Sequence, residues 1–295
     1  MPARLRWMRL RPQEVALVAI TAVWGSTFLL VHWAMEHSGP WFFVGIRFLV
    51  AGLISVVIFR RSLRGIRWRD IGAGAAIGVM IHLGYGLQTV GLQTIDSSTS
   101  AFITAMYVPL VPFAQWAVFR RRPPMMAFVG AGLAFVGLLL IAGPDALTFT
   151  LGPGEFATMI STLPIAAEII LISFFATRVD LGRVTIVQLL TAGVLGILTM
   201  PVVGEGVPAF SWVWVGAAIG LGAASCLIQL TINWAQKSVS PTRATIIYAG
   251  EPVWAAVVGR IAGERLPVTA LIGGGLVVLG ILASELKLIR RRNRP

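Results

Sequence analysis

Apolar residues run through this chain in long unbroken stretches, not in the one-face stripe of a soluble amphipathic helix. Ten such stretches can be marked, at 14–34, 40–59, 71–93, 99–119, 125–142, 154–177, 184–202, 212–236, 244–262 and 268–289. A helix that is hydrophobic all round is buried in lipid or in a large core. A hydrocarbon layer roughly 30 Å thick takes about 20 apolar residues in helical form, and each stretch has a length of that order. Short clusters of Gly, Pro, Ser, Asp and Arg separate them, and no polar segment is long enough for a water-facing domain. Helices are the only open-chain structures that pair their own backbone groups inside lipid. The pattern predicts an all-α integral membrane protein with ten transmembrane helices.

Composition agrees. The 295 residues are 57% hydrophobic and 12% charged, whereas a soluble domain carries about 25% charged residues. A net charge of +12 would suggest nucleic acid in a soluble protein, but the location of the cations argues otherwise. Of 24 Lys and Arg, 21 lie in the N-terminal tail, in the connections after spans two, four, six and eight, and in the C-terminal tail. The alternate connections hold Arg260 and Arg265 only, and Arg47 is inside the second span. Such asymmetry is the positive-inside signature. It predicts that both termini are cytoplasmic, and it leaves no basic domain to hold a nucleic-acid partner. Cys226, the single cysteine, excludes an internal disulfide. The basic start followed by an apolar run looks like a signal peptide, but without a small-x-small cleavage site it predicts a retained first helix.

A shift of 143 residues lays SSTSAFITAMYVPLVPF (97–113) on SPTRATIIYAGEPVWAA (240–256), matching Ser97 with Ser240, Thr99 with Thr242 and Pro109 with Pro252. The register continues until Gly130, Gly132 and Gly137 meet Gly273, Gly275 and Gly280. The expected organisation is a tail at 1–13, a first repeat at 14–150, a second at 151–289 and a basic tail at 290–295. Five spans per repeat is odd, so the second copy enters the membrane upside down. Inverted repeats of this kind mark transporters, whose halves exchange shapes around a midplane site.

Several of these pieces resemble the EamA-type transporters of the drug/metabolite transporter superfamily. They are WGSTF (24–28), Pro40 with Arg47 and Phe48, SAFITAMYVPLVP (100–112), EPVWAA (251–256), GERL (263–266) and IGGGLVVLG (272–280). The resemblance spans essentially the whole chain. It implies a ten-helix inner-membrane carrier with a central cavity, of a kind that often exports amino acids, other small metabolites or toxic compounds. The chain departs from the family at Ala167 and Glu168, where the sixth helix often carries tryptophan or small residues.

Ionised side chains deep in a bilayer are costly and usually face a cavity or a partner. Arg47, Glu168 and Glu251 qualify. Glu168 stands near the middle of span six, four residues after Pro164, which frees a backbone carbonyl within the helix. It is read either as a proton-carrying or cation-binding carboxylate or as a structural carboxyl bonded to a neighbouring helix. Glu251 precedes Pro252 and is read either as a proton-coupling or cavity charge or as a structural carboxyl, the role its family counterparts imply. Arg47 is expected to pair with a carboxylate, or else to receive a substrate carboxylate bidentately. Pro109, Pro164 and Pro252 are candidate kinks.

Two polar stripes at helical spacing complete the candidates: His82, Tyr85 and Thr89 with Gln88 beside them, and Ser225, Gln229 and Asn233. They are read as cavity lining or as interhelical hydrogen bonds. His82 is a second candidate proton carrier, since histidine ordinarily titrates near physiological pH. Trp24, Tyr107, Tyr248 and Trp254 lie within spans and could form walls for a substrate or simply pack. Trp7, Trp41, Trp68 and Trp212 sit at span ends as interface anchors. Gly74 with Gly78 and Gly216 with Gly220 are spaced for close helix approach.

These features predict a secondary carrier that exports a small amino-acid-like or other organic metabolite by alternating access, with protons as the candidate coupling ion. Its partners would be that small-molecule substrate and the lipid bilayer. No Walker A pattern provides for ATP, and no cofactor or metal is expected. A nucleotide-sugar or sugar-phosphate antiporter needs several buried cations, and Arg47 alone is on offer. An intramembrane enzyme needs a metal cluster or a nucleophile–base pair; His32 and His82 have no partner at metal-ligand spacing.

Overall fold

The computed structural model describes residues 11–120, 125–142, 152–263 and 267–285. Residues 1–10 of the expected N-terminal tail with Trp7, the basic C-terminal tail, Arg121, Arg122, the junction at 143–151, Arg265 and the last residues of span ten lie outside the described residues, while residues 12 and 13 of the expected tail already belong to the first helix. The elements are α1 (Pro12–Met35), α2 (Pro40–Phe59), α3 (Trp68–Gly91), α4 (Ser97–Thr104), α5 (Tyr107–Phe119), α6 (Met125–Ala142), α7 (Pro153–Phe175), α8 (Leu181–Val202), α9 (Trp212–Ala235), α10 (Pro241–Tyr248), α11 (Gly250–Ile261) and α12 (Val268–Glu285). Every element among the described residues is helical, including a short 3-10 turn at Ser62–Gly65. Among the described residues, seven stretches are long and apolar enough to cross a membrane: α1, α2, α3, α4 with α5 taken together, α7, α8 and α9.

The fourth and ninth expected spans are not continuous. Each is two half-helices, broken at Ala105–Met106 and at Ala249. Proline in a helix interior removes the bond to the carbonyl four residues back and its ring crowds that carbonyl. Four residues before Pro109 is Ala105, and four before Pro252 is Tyr248. The chain therefore restarts, and each proline falls in the first turn of the new helix, where an N–H has no intrahelical partner anyway. The Ala105 carbonyl is taken up by a tighter bond from Val108 N at 3.0 Å. Pro164, by contrast, is accommodated within α7, which stays helical throughout.

The repeat is visible in these bounds. Adding 143 to the limits of α6 gives 268–285, the limits of α12. Packing follows the same rule: α2 lies on α8 and α6 on α12. The mixed contacts come in pairs, α1 on α9 with α3 on α7, and α1 on α11 with α5 on α7.

Glycine makes the tightest of these seams. A Cβ added at Gly196 of α8 would lie 2.6 Å from both N and Cα of Gly45 in α2, and one at Gly25 of α1 only 2.5 Å from the Glu251 carbonyl oxygen. Gly74 and Gly78 pack on Val187 and Thr191 of α8, as their spacing suggests. Gly216 and Gly220 do not: a Cβ at either would meet nothing within 4 Å. The motif marks a face that allows close approach, not one that has a neighbour.

Polar groups tie the helix ends. The Arg243 guanidinium meets Glu14 at 2.6 Å, joining α10 to α1, and Arg183 meets Asp70 at 3.2 Å, joining α8 to α3. The Glu205 carboxylate accepts from Trp41 N at 3.1 Å and Phe42 N at 2.7 Å, capping the first turn of α2 from the connection after α8. Replacing such a cap by alanine costs about 0.5–2 kcal/mol. Glu205→Ala is therefore expected to lower the melting temperature in detergent, with Glu205→Gln, which keeps an acceptor oxygen, nearer the parent protein.

Candidate functional site

Where the two halves meet, α7, α8 and α9 each contribute one long polar side chain to a buried row. Gln188 Nε2 donates to Gln229 Oε1 at 2.8 Å, and Gln229 Nε2 donates to Glu168 Oε1 at 2.8 Å. All three residues are buried. An amide has a donor at one end and an acceptor at the other, so the row has a direction and delivers a donor to the carboxylate. Glu168 Oε2 has no hydrogen-bond partner among the described residues. Glu168 is also less central than its sequence position suggests. It lies seven residues from Phe175 and fifteen from Pro153, roughly 10 Å and 22 Å along α7.

The second buried acid stands at the start of a half-helix. Glu251 Oε2 accepts from the Tyr107 hydroxyl at 3.4 Å, while Oε1 has no partner among the described residues. Thus the first residue of α5 and the second of α11 meet across the two chain breaks. Aromatic rings surround the acids. Trp24 of α1 stacks on Tyr85 of α3 with ring centroids 6.4 Å apart and meets Tyr248 of α10 edge-on at 5.7 Å. Tyr85 is the common neighbour, within electrostatic reach of Glu168, Arg47 and Glu251 and facing Gln229.

Arg47 departs from the expected carboxylate pair. Its Nε donates to Ser225 Oγ at 2.7 Å, and its guanidinium lies 5.4 Å from the ring centroids of both Phe48 and Tyr85. No carboxylate comes within 4.0 Å of it among the described residues, and Nη2 has no partner there. The reason is positional. Arg47 points from α2 towards α9, while the acids are on α7 and α11. Cation–π contact and one neutral hydroxyl hold the charge instead.

The residues of each stripe turn to different partners. On α9, Ser225 turns to Arg47, Gln229 to Gln188 and Glu168, and Asn233 donates to Thr185 Oγ1 at 3.0 Å. On α3, Tyr85 faces the acids and Gln88 donates to Thr104 Oγ1 at 2.9 Å. His82, however, turns towards the α2–α8 seam. Its Nε2 is 3.1 Å from Thr199 Oγ1 and its ring is 5.0 Å from that of Trp41. It is not beside the carboxylates, because a helix turns about 100° per residue and three residues do not quite return to the same face. Trp41 is accordingly a packing partner of His82 and Gly86, not a free interface anchor. Trp68 and Trp212 are exposed.

Trp254 is also corrected. Its Cβ packs on Gly25 while the residue is 43% exposed, and it shares no ring contact with the aromatic cluster among the described residues, so it forms no wall of this cluster. Gln188, Thr104 and Gln236 are contributors that sequence reasoning missed. Gln188 is a lone amide in VTIVQLL with no periodic stripe to single it out. Gln236 lies one residue beyond α9, where its Nε2 donates to the Tyr248 hydroxyl at 3.2 Å. It also lines a cleft of about 490 Å³ between the end of α5, the end of α7 and the α9–α10 connection. Gln236 thus links the wall of this cleft to the aromatic cluster by a hydrogen bond.

Comparison with known proteins agrees with this architecture. An uncharacterized transporter of Archaeoglobus fulgidus is 27% identical over 93% of this chain and 86% of its own length. An uncharacterized inner membrane transporter of Escherichia coli K12, YedA, is 26% identical over 94% of this chain and 92% of its own. An S-adenosylmethionine/S-adenosylhomocysteine transporter of Chlamydia muridarum is 25% identical over 44% of this chain and 42% of its own. A solved crystal structure shares the fold, with a TM-score of 0.71 at 18% identity, covering 94% of this chain and 97% of the other. The EamA-like transporter family matches twice, over residues 13–143 and 152–285. With both repeats matched in full sequence order, this chain belongs to the EamA-like transporter family and is a membrane transporter.

Proposed function

We propose that the protein is a secondary carrier of ten membrane crossings, arranged as two inverted repeats with both termini on the cytoplasmic side of an inner membrane. It exports a small amino-acid-like or other organic metabolite by alternating access, with Glu168 exchanging a proton during the cycle. The observation that supports this most is the pair of helix breaks at equivalent positions, beside which Tyr107, Tyr248 and Glu251 meet. Transporters place discontinuous helices at the substrate site, because chain ends there offer polar groups that a continuous helix consumes.

Alternation draws further support from an asymmetry between the repeats. Glu14 and Arg243 join α1 to α10. In the other repeat Glu155 stands in the first turn of α7 two residues after Pro153, as Glu14 does after Pro12 in α1, but Arg243 falls on Ser100 at the 143-residue shift, at the corresponding contact of α7 with α4. One end of the carrier has an ion pair between these helices and the other a serine where the arginine would stand, so the two ends open at different cost.

The test is reconstitution in liposomes with an imposed pH gradient. The expected result is saturable solute flux that responds to the gradient, together with labelling of single cysteines near both termini from the cytoplasmic face alone. Termini labelled from opposite faces, or no flux of any solute, would discard the reading.

A further inference from the structure

Glu168 and Glu251 are 2% and 1% exposed, each has a carboxylate oxygen without a partner, and no Lys or Arg lies within 4.0 Å of either among the described residues. Two carboxylates out of water are stable together only if protons or cations neutralise them. The one buried guanidinium among the described residues, Arg47, is held by Ser225 and by the Phe48 and Tyr85 rings, with Nη2 unpartnered there. With both acids ionised, the three groups together carry one negative charge.

We infer that the cargo is an organic cation, with at least one more positive than negative charge, seated between Glu168 and Glu251. The inference rests on the carrier reading above and names the substrate class of that same site. An ammonium or sulfonium group suits these surroundings in two ways. The orphaned oxygens Glu168 Oε2 and Glu251 Oε1 accept its charge, and the electron-rich rings of Trp24, Tyr85, Tyr107 and Tyr248 gathered near the acids make surroundings that favour a cation over an anion. If the cargo also has a carboxylate, Arg47 Nη2 is the group available to receive it.

Protons and cargo then compete for the same oxygens, so exchange of one for the other is a consequence of the charge balance. The groups facing the two acids are Tyr85 from α3, Tyr107 from α5, Tyr248 from α10 and the neutral Gln229 from α9, with Arg47 reached through Tyr85. His82 turns away to Thr199 and Trp41. None of the tyrosines supplies a cation, and none titrates ordinarily between pH 6 and 8. The carboxylates are left to carry the competition.

Matched probes test this without knowledge of the natural cargo. Ornithine and norvaline differ by one terminal ammonium group, and S-adenosylmethionine and S-adenosylhomocysteine by one sulfonium charge. Purified full-length protein in detergent is titrated with each probe and with glutamate, and melting temperature is read at pH 6 and pH 8. The expected result is that at least one cationic member stabilises the protein at tenfold or lower concentration than its partner, and more strongly at pH 8. The effect should vanish in Glu168→Gln/Glu251→Gln, whose unliganded melting temperature serves as the folding control. Equal stabilisation by the uncharged member, stabilisation by glutamate, persistence in the double variant, or no shift by either cation would overturn the inference. Liposome flux of any solute decides the carrier reading separately: flux confined to neutral or anionic solutes removes the cationic cargo and leaves the carrier intact.

Discussion

Glu168→Gln is expected to reduce pH-driven flux at least tenfold while the protein still folds. Glutamine keeps the Oε1 acceptor for Gln229 Nε2, so the row from Gln188 through Gln229 survives. What is lost is the ability to gain and release a proton at a buried position. The new amide places an NH2 group where Glu168 Oε2 has no partner. An unsatisfied buried donor costs about 1–3 kcal/mol, small enough for a folded protein and large enough for a measurable drop in melting temperature. A tenfold loss of rate corresponds to about 1.4 kcal/mol on the barrier. The measurement is initial flux in liposomes as the external pH is stepped at constant membrane potential. Retention of the parent's pH response would show that Glu168 carries no coupling proton.

Gly196 is the position where a small change should do the most structural damage. Its neighbours are backbone: N and Cα of Gly45 at 2.6 Å from an added Cβ, and the Trp41 carbonyl oxygen at 3.2 Å. Backbone cannot rotate aside as a long side chain can. Alanine alone is expected to cost on the order of 1–3 kcal/mol by overpacking, which outweighs the roughly 1 kcal/mol by which alanine favours helix over glycine. Leucine is expected to separate α2 from α8 and prevent recovery of a monodisperse protein. Gly216→Leu is the matched control, since a Cβ there meets nothing within 4 Å, and it should purify and melt like the parent. If Gly196→Leu and Gly216→Leu behave alike in size-exclusion and thermal-melt profiles, the close α2–α8 seam is wrong.

Much of this protein follows from local properties of the chain. Transfer of a residue into lipid depends mainly on that residue, and contributions add along a helix. Composition and run length therefore sufficed for the membrane class and for most helix limits; α2 at 40–59 and α6 at 125–142 coincide with the expected spans. The repeat was equally legible, because shared Pro and Gly positions survive as letters in register. Even the helix breaks had a local cause in Pro109 and Pro252, although their extent became visible only as two pairs of half-helices.

Which polar groups meet was decided by tertiary structure. In lipid every helix face is apolar, so periodicity does not say which face has a neighbour, and small residues mark only where one could come close. Gly74 and Gly216 look alike in sequence, yet one packs on α8 and the other on nothing. Glu168, Gln229 and Gln188 are separated by tens of residues and meet only because their long side chains reach from α7, α9 and α8 into one buried row. Arg47 finds Ser225 instead of an acid, and His82 turns to Thr199, for the same reason. The chain by itself specified what must leave water; helix packing specified which buried charge stands opposite which ring, hydroxyl or amide, and those distances, not the residue types, set the chemistry.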